Sequence, residues 1–204
     1  MQSVGQVPVR RAGPEDHPRA AEALADAFVD DDAFGWLLQF PDRARRLRLF
    51  FETMLQHHVP GRREVWRSED GSAAAVWAPP GLWAVPTLRV AREAPAMAKV
   101  FGRRLPYALR YLIKAERLHP RKPPHWYLEA LGTQRARQGQ GLGSALLRPI
   151  LALCDRDGLG AYLESSSERN RVLYERHGFE VVETFRMPGG GPEIRRMWRD
   201  PGGP

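Results

Sequence analysis

Between positions 138 and 144 the chain reads Gln138-Gly139-Gln140-Gly141-Leu142-Gly143-Ser144, glycines alternating with larger residues. An apolar run over 126–131 precedes this stretch, and an apolar pattern of helical spacing over 144–156 follows it. A strand, a glycine-rich turn and a helix in that order make an anion cradle. The glycines let backbone N–H groups approach a diphosphate, and the helix N-terminus adds its partial positive charge. The chemistry to expect is the holding of a phosphorylated cofactor.

Two common phosphate loops do not fit these residues. A Walker-type loop, G-x-x-x-x-G-K-[ST], needs a lysine that this turn lacks. A dinucleotide fingerprint is nearly matched by Gly139-x-Gly141-x-x-Ser144, and Glu164 lies near where a ribose-binding carboxylate would stand. In that fold, however, the first glycine follows the strand at once, whereas here residues 134–138 intervene. Too little chain follows Glu164 to complete a doubly wound sheet.

The elements that must position the turn follow from periodicity. A short strand is expected over 7–11, then a helix carrying Ala21, Leu24, Ala25 and Phe28 on its apolar face, beginning at Pro14 or Asp16. A second helix spans about 41–58, with Leu47, Phe50, Phe51, Met54 and Leu55 inward. Strands at 64–68 and 73–78 flank Asp70-Gly71, a hairpin signal. The basic segment 86–119 reads as helix interrupted near Gly102 and Pro106, and 120–124 as a stiff linker to a strand at 126–132. After the glycine turn and its helix come a strand at 161–164, a short helix at 170–177 stopped by Gly178, and a hairpin from 179–185 and 194–198. This order predicts an α/β protein with a mixed sheet and a β-α-β unit around the turn.

Composition narrows the partners. The net charge is +7 with a pI near 10.1, which suits an anionic ligand. Only Lys99, Lys114 and Lys122 among the 31 basic residues are lysine, a skew that reads as a GC-rich bacterial genome. The arginines run from Arg10 to Arg199 without a dense tract or an RNA-type aromatic–basic signature, so no nucleic acid is expected. The N-terminus lacks an apolar signal core, and no run approaches the roughly 18 apolar residues of a membrane span. A lone Cys154 provides no disulfide framework, so a cytoplasmic, reducing location is expected, with no membrane partner. The histidines show no spaced metal pattern, and the adjacent His57 and His58 point apart on a helix, so no metal is expected.

The pattern [QR]-x-x-G-x-[GA], filled by Gln138, Gly141 and Gly143, resembles the coenzyme A loop of the GNAT superfamily of N-acetyltransferases. Downstream, Leu173-Tyr174-Glu175-Arg176-His177-Gly178-Phe179 resembles that superfamily's Y-E-x-x-G-F segment, and the element order is similar over nearly the whole chain. A narrower likeness, to the puromycin N-acetyltransferases, rests on three features. These are Trp126-Tyr127-Leu128, the helix start GQGLGSALLRP with Pro149 inside the helix, and the run from Leu163 through Ser167 to Asn170. Pro149 carries weight because a mid-helix proline removes a hydrogen bond at about 3 kcal/mol. Ser167 departs from the superfamily pattern, standing where asparagine is common.

The resemblance implies a single GNAT domain over 1–204, with a mixed, mostly antiparallel central sheet flanked by helices and a coenzyme A-binding half at about 125–187. It implies acetyl-CoA as co-substrate, a small-molecule amine as acceptor, possible antibiotic detoxification, and a monomer or homodimer. Transfer to a protein or peptide amine, and coenzyme sensing without turnover, are the alternatives.

Cofactor contacts are expected from Leu131, Gly132 and Thr133 on a splayed strand, from Gln138, Gly139, Gln140, Gly141, Leu142, Gly143 and Ser144, from Arg137 beside Arg135, and from Asn170. Tyr174 is the expected general acid, since a phenol near pKa 10 can protonate a departing thiolate; its alternative is core packing beside Phe179. For the general base, strict alternation places Tyr127, Glu129 and Leu131 on one strand face, where Glu129 is the only carboxylate; His125 and Glu164 are alternatives. Asp30, Asp31 and Asp32 end the first predicted helix, where carboxylates oppose the macrodipole. They are read as an acidic clamp for a cationic amine or as a solvated loop, with Tyr127 and Glu164 also facing the acceptor. Cys154 shares helical spacing with Leu147, Ile150 and Leu151, which marks it as core and favours direct transfer in a ternary complex over a cysteine nucleophile.

Overall fold

The computed structural model describes residues 8–56, 63–84 and 87–202. In chain order the elements are β1 (Val9–Arg11), α1 (His17–Ala27), α2 (Asp32–Leu37), α3 (Arg43–Gln56), β2 (Glu64–Ser68), β3 (Ala73–Ala78), α4 (Thr87–Phe101), α5 (Leu105–Leu118), β4 (His125–Thr133), α6 (Leu142–Asp157), β5 (Gly160–Ser165), α7 (Glu168–Glu175), β6 (Glu180–Arg186) and β7 (Glu193–Arg199). The strands form one seven-stranded sheet in the order β1-β2-β3-β4-β5-β7-β6. Only β4 and β5 pair in parallel; every other pairing is antiparallel. The expected mixed, mostly antiparallel sheet is therefore present. The expected His57-His58 pair lies outside the described residues.

Two apolar cores sandwich the sheet. On one side Leu24 of α1, Leu47, Phe51 and Leu55 of α3, Val100 of α4 and Ala108 of α5 pack on Val65, Val76 and Ala130. On the other, Leu142, Leu146, Leu147, Ile150 and Cys154 of α6 and Tyr174 of α7 pack on Trp77, Leu128, Leu163 and Met197. Each buried Leu or Ile in these layers contributes roughly 1.5–3 kcal/mol relative to exposure. Cys154 takes the core position its spacing predicts.

Two local departures from the sequence expectation matter for the site. The first is α2, a six-residue helix interrupted in propensity by Gly35 and hence not predicted. Because α1 ends at Ala27 and α2 begins at Asp32, Asp30, Asp31 and Asp32 do not end the first helix. Asp31 caps the N-terminus of α2, accepting a hydrogen bond from the Phe34 amide at 2.9 Å, so the macrodipole favours these carboxylates instead of opposing them.

The second is a bulge in β4. Val76 lies opposite Ala130 and Trp77 opposite Leu128, leaving Glu129 without an opposite residue on β3. The extra residue reverses the alternation. Leu128 joins the α6-side core with Leu131, whereas Ala130, two positions from Leu128, joins the α1-side core. The single face expected for Tyr127, Glu129 and Leu131 is thereby broken.

Past the bulge, α1 presses closely on β4. A Cβ at Gly132 would lie 2.7 Å from the Ala27 Cβ and 3.4 Å from the Leu24 Cα. Neither atom can rotate away, so Gly132→Ala is expected to destabilise the fold by roughly 1–3 kcal/mol. Urea unfolding checks this; a variant as stable as the parent would mean that α1 is free to shift off the strand.

Candidate functional site

β4 and β5 are hydrogen-bonded only from the pair His125–Gly160 to the pair Leu128–Leu163. Beyond it, residues 130–133 keep β3 on one edge and have no paired strand on the other. The two strands splay from Leu128 onward and leave one edge of β4 open to a ligand. At the end of β4, Arg135–Arg137 form a 3-10 turn, and the Gln138 side-chain amide donates to the Thr133 carbonyl at 3.1 Å. Gln138 therefore braces the turn that follows it.

That turn has the backbone a cradle requires. Gly139 and Gly141 have φ of +78° and +79°, in the left-handed region, with open space where a side chain would stand. Gly141 is the N-cap of α6 and no side chain caps the helix there, in contrast to Asp31 at α2 and Ser167 at α7. The first-turn amides of a sixteen-residue helix thus remain for an external acceptor. Gly143 serves a different purpose: its Cβ would fall 3.1 Å from Leu173 Cδ2, so it lets α7 pack against α6. The His177 ring nitrogen Nε2 shares a hydrogen bond with Ser144 Oγ at 2.9 Å and ties the two helices together at the same place.

A cavity of about 440 Å³ joins the cradle to the splay. Of the predicted cofactor residues, Leu131, Gly132, Thr133, Arg137, Gln138, Gly139, Gly141, Leu142, Gly143, Ser144 and Asn170 line it, and Gln140 does not. Asn170 is not the cap of α7; Ser167 is, accepting from the Asn170 amide. Arg135 and Arg137 line the cavity but already hold partners, Arg135 at Asp26 and Arg137 at Asp70. Arg169 and Arg176 also line it. The sequence reading missed both, although with Leu173 they follow an i, i+4, i+7 spacing that places them on one face of the short helix.

The cavity wall also carries Asp30, which lies 3.6 Å from Arg135, together with Asp31 and Tyr174. Asp30 is exposed, and Asp32 lies outside the lining. Asp31 is held by Ser166, whose hydroxyl donates to its Oδ2, so the α1–α2 connection is tied to the end of β5. Burial raises the Asp31 carboxyl above its ordinary range, against the opposing hydrogen bonds from Ser166 and the Phe34 amide. Burial also raises the Tyr174 phenol, and the nearby charge of Asp31 raises it further. Tyr174 therefore keeps its proton at neutral pH, near a carboxylate whose charged form is disfavoured by burial despite its hydrogen bonds. Tyr174 also packs beside Phe179 at 6.0 Å between ring centroids, so its ring belongs to the core, and the residue also lines the cavity.

Glu129 does not meet the expectation of a base. Its carboxylate is in a buried ion pair with Arg63, the two side chains 7% and 8% exposed, and it is not part of the cavity wall. The bulge that detaches it from the strand's alternation is the cause. His125 is also diverted: its Nδ1 meets the Pro123 carbonyl at 2.8 Å and its Nε2 meets His119 at 3.1 Å. Tyr127 and Glu164 lie off the cavity wall and are bonded to each other, the tyrosine hydroxyl donating to Glu164 Oε2 at 2.9 Å. Among the described residues, no group of three or more His, Cys, Asp or Glu side chains is placed to hold a metal ion.

Residues 52–179 match the Acetyltransferase (GNAT) family. An uncharacterised N-acetyltransferase of Schizosaccharomyces pombe is 30% identical over 194 residues, which span 87% of this chain and 76% of the yeast protein. Among solved structures, a Corynebacterium glutamicum protein described as histone acetyltransferase HPA2 and related acetyltransferase aligns with a TM-score of 0.71 at 28% identity, over 96% of this chain and 97% of its own. Arylalkylamine N-acetyltransferase 2 of Aedes aegypti shares the fold, with a TM-score of 0.57 at 11% identity over 95% and 98% of the two chains.

Proposed function

The chain belongs to the acetyltransferase (GNAT) family, and from that premise we propose that it moves an acetyl group from acetyl-CoA to the amine of a small cationic molecule, by direct attack. The observation that carries this reading is that one cavity wall joins glycine-turn amides and arginines with the carboxylate of Asp31 and the phenol-bearing Tyr174.

The residues present fit the coenzyme. The amides at the uncapped start of α6 and the Arg169 and Arg176 side chains suit its phosphates, and the open edge of β4 at Leu131–Thr133 suits an amide-containing arm. When bound, acetyl-CoA supplies an activated thioester. Asp31 attracts the ammonium form of the acceptor and takes its proton at a carboxylate oxygen. The Tyr174 hydroxyl holds the proton that the departing sulfur requires. Backbone N–H groups of β4 that lack a strand partner are placed for oxygen charge, a donor set of the kind worth about 3 kcal/mol. The likeness to the puromycin N-acetyltransferases supports a small-molecule acceptor, an antibiotic of that type among the candidates.

Acetyl-CoA is expected to raise the melting temperature and NADH to leave it unchanged, because a ligand that binds only the folded state stabilises it by mass action. Differential scanning fluorimetry reads this directly. Stabilisation by NADH and not by acetyl-CoA would remove the proposal, and stabilisation by acetyl-CoA without amine-dependent thiol release would leave a coenzyme-binding module.

A further inference from the structure

Charge is unevenly spread along this chain. Residues 87–122, which include α4 and α5, carry ten basic and two acidic residues, against 21 basic and 22 acidic in all the rest. The net charge of +7 therefore originates in these two consecutive helices and the short segment after them. Elsewhere, exposed arginines are neutralised in place: Arg48 pairs with Glu52, Arg135 with Asp26 and Arg156 with Asp157. In α4 and α5, Arg92, Arg110 and Arg117 are exposed and form no ion pair among the described residues.

The same two helices expose aliphatic side chains. Leu109, Leu112 and Ile113 of α5 are 45%, 47% and 48% exposed, and their i, i+3, i+4 spacing sets them on one face. The opposite face of α5 is core, with Ala108 and Ala115 buried. α4 adds Leu88, 83% exposed, and Val90; among its described side chains only Val100 and Phe101, at the C-terminal end, are buried. The other exposed aliphatics among the described residues are three valines on α7 and β6. Arg110 and Arg117 flank the α5 stripe, and Glu116 is the one acidic residue of that helix. Grouped apolar exposure of this kind marks an interaction surface, and its cationic border asks for an anionic partner.

A second copy of the chain would bring two net-positive faces together. The phosphates of a nucleic acid would answer the charge and leave the aliphatic stripe in water. An anionic lipid surface answers both: headgroups take the guanidinium groups, the acyl boundary takes the leucine and isoleucine side chains, and no matching pocket is needed. The expectation of no membrane partner rested on the absence of a span. Among the described residues no helix is long and apolar enough to cross a membrane, and a surface contact needs none.

We propose that the outward face of α5 docks on an anionic lipid surface, with Leu109, Leu112 and Ile113 entering the headgroup–acyl boundary and Arg110 and Arg117 holding headgroups. The unpaired cations of α4 add to the attraction. This contact does not depend on the acetyl transfer proposed above.

The test is sedimentation of the whole protein with vesicles of phosphatidylcholine alone, and of phosphatidylcholine and phosphatidylglycerol in equal parts. The mixed vesicles are expected to bind roughly tenfold more tightly or better, with affinity falling as salt rises. Leu109→Ser combined with Ile113→Ser should weaken mixed-vesicle binding by roughly tenfold and leave the melting temperature unchanged, because both side chains are half exposed. Arg110→Gln combined with Arg117→Gln should weaken it by a similar factor and serves if the serine variant folds poorly. No binding to mixed vesicles would overturn the inference, as would binding that survives the serine pair, which is adsorption by net charge alone. A polyglutamate peptide bound by the parent and lost in both variants, with vesicles ignored, would overturn it in favour of an acidic protein partner. Acetyl transfer is read separately by thiol release and stands or falls on its own.

Discussion

Replacing Tyr174 by phenylalanine is expected to lower turnover by roughly 10²–10⁴, the usual range for loss of a general acid. The substitution keeps the ring that packs beside Phe179 and removes only the hydroxyl of this cavity-lining residue. Burial and Asp31 hold the phenol above its ordinary value, so the proton is present across the neutral range and available to a leaving thiolate. Coenzyme affinity should barely change, because the cradle lies at the glycine turn and α6. An interaction made only in the transition state lowers kcat and kcat/KM together. Steady-state kinetics with the best acceptor and a coenzyme titration decide the matter. A phenylalanine variant with near-normal kcat would return Tyr174 to core packing alone.

Asp31→Asn should separate function from stability. Asparagine keeps Oδ1 to accept from the Phe34 amide and places an NH2 where Oδ2 stood, which can donate to the Ser166 hydroxyl, and it removes the charge. As amine anchor and proton acceptor, Asp31 should be worth roughly 10² or more in kcat/KM. Folding favours its neutral form, since burial raises the folded-state carboxyl above the unfolded one. Its contribution to stability is therefore complete at pH below the unfolded value of about 3.9 and is lost as pH rises through the folded value. At neutral pH the asparagine variant should melt at or above the parent temperature. Activity has the opposite dependence: it needs the ionised carboxylate, so the acid limb of kcat/KM should lie above the ordinary carboxylate range and disappear in the variant. Thermal melts and rate profiles across pH test both halves. A variant several degrees less stable at pH 7, with parent-like kcat/KM, would make Asp31 a helix cap and nothing more.

The two ends of the site differed in how far the sequence revealed them. The cradle was legible because its chemistry is local: Gly139 and Gly141 are needed for positive φ within a few residues, and α6 follows at once. The hairpin at Asp70-Gly71 and the break between α4 and α5 at Gly102 were legible for the same reason. Gly143 was recognised by position but not by cause, since its contact with Leu173 is a tertiary fact. The acceptor end depends on long-range geometry. Asp31 takes its place through a short helix that Gly35 disguises and through Ser166, 135 residues away. Glu129 misled because alternation assumes an unbroken strand, and one bulged residue turns its carboxylate to Arg63. Ser167 capping α7, three residues before the helix start expected at 170, shows the same limit at a helix start.

The most direct test concerns transfer itself. The buried Cys154, its thiol pushed up to about 12 chiefly by burial, is unsuited to carry an acetyl group, and no covalent relay is invoked. Protein incubated with acetyl-CoA alone should retain its unmodified intact mass and release no thiol beyond spontaneous hydrolysis. Adding an amine acceptor should then release free coenzyme A thiol in equal amount to the N-acetylated amine. Thiol release that needs no amine and leaves an acetylated protein, or no acetylated product from any amine tested, would contradict direct acetyl transfer at this site.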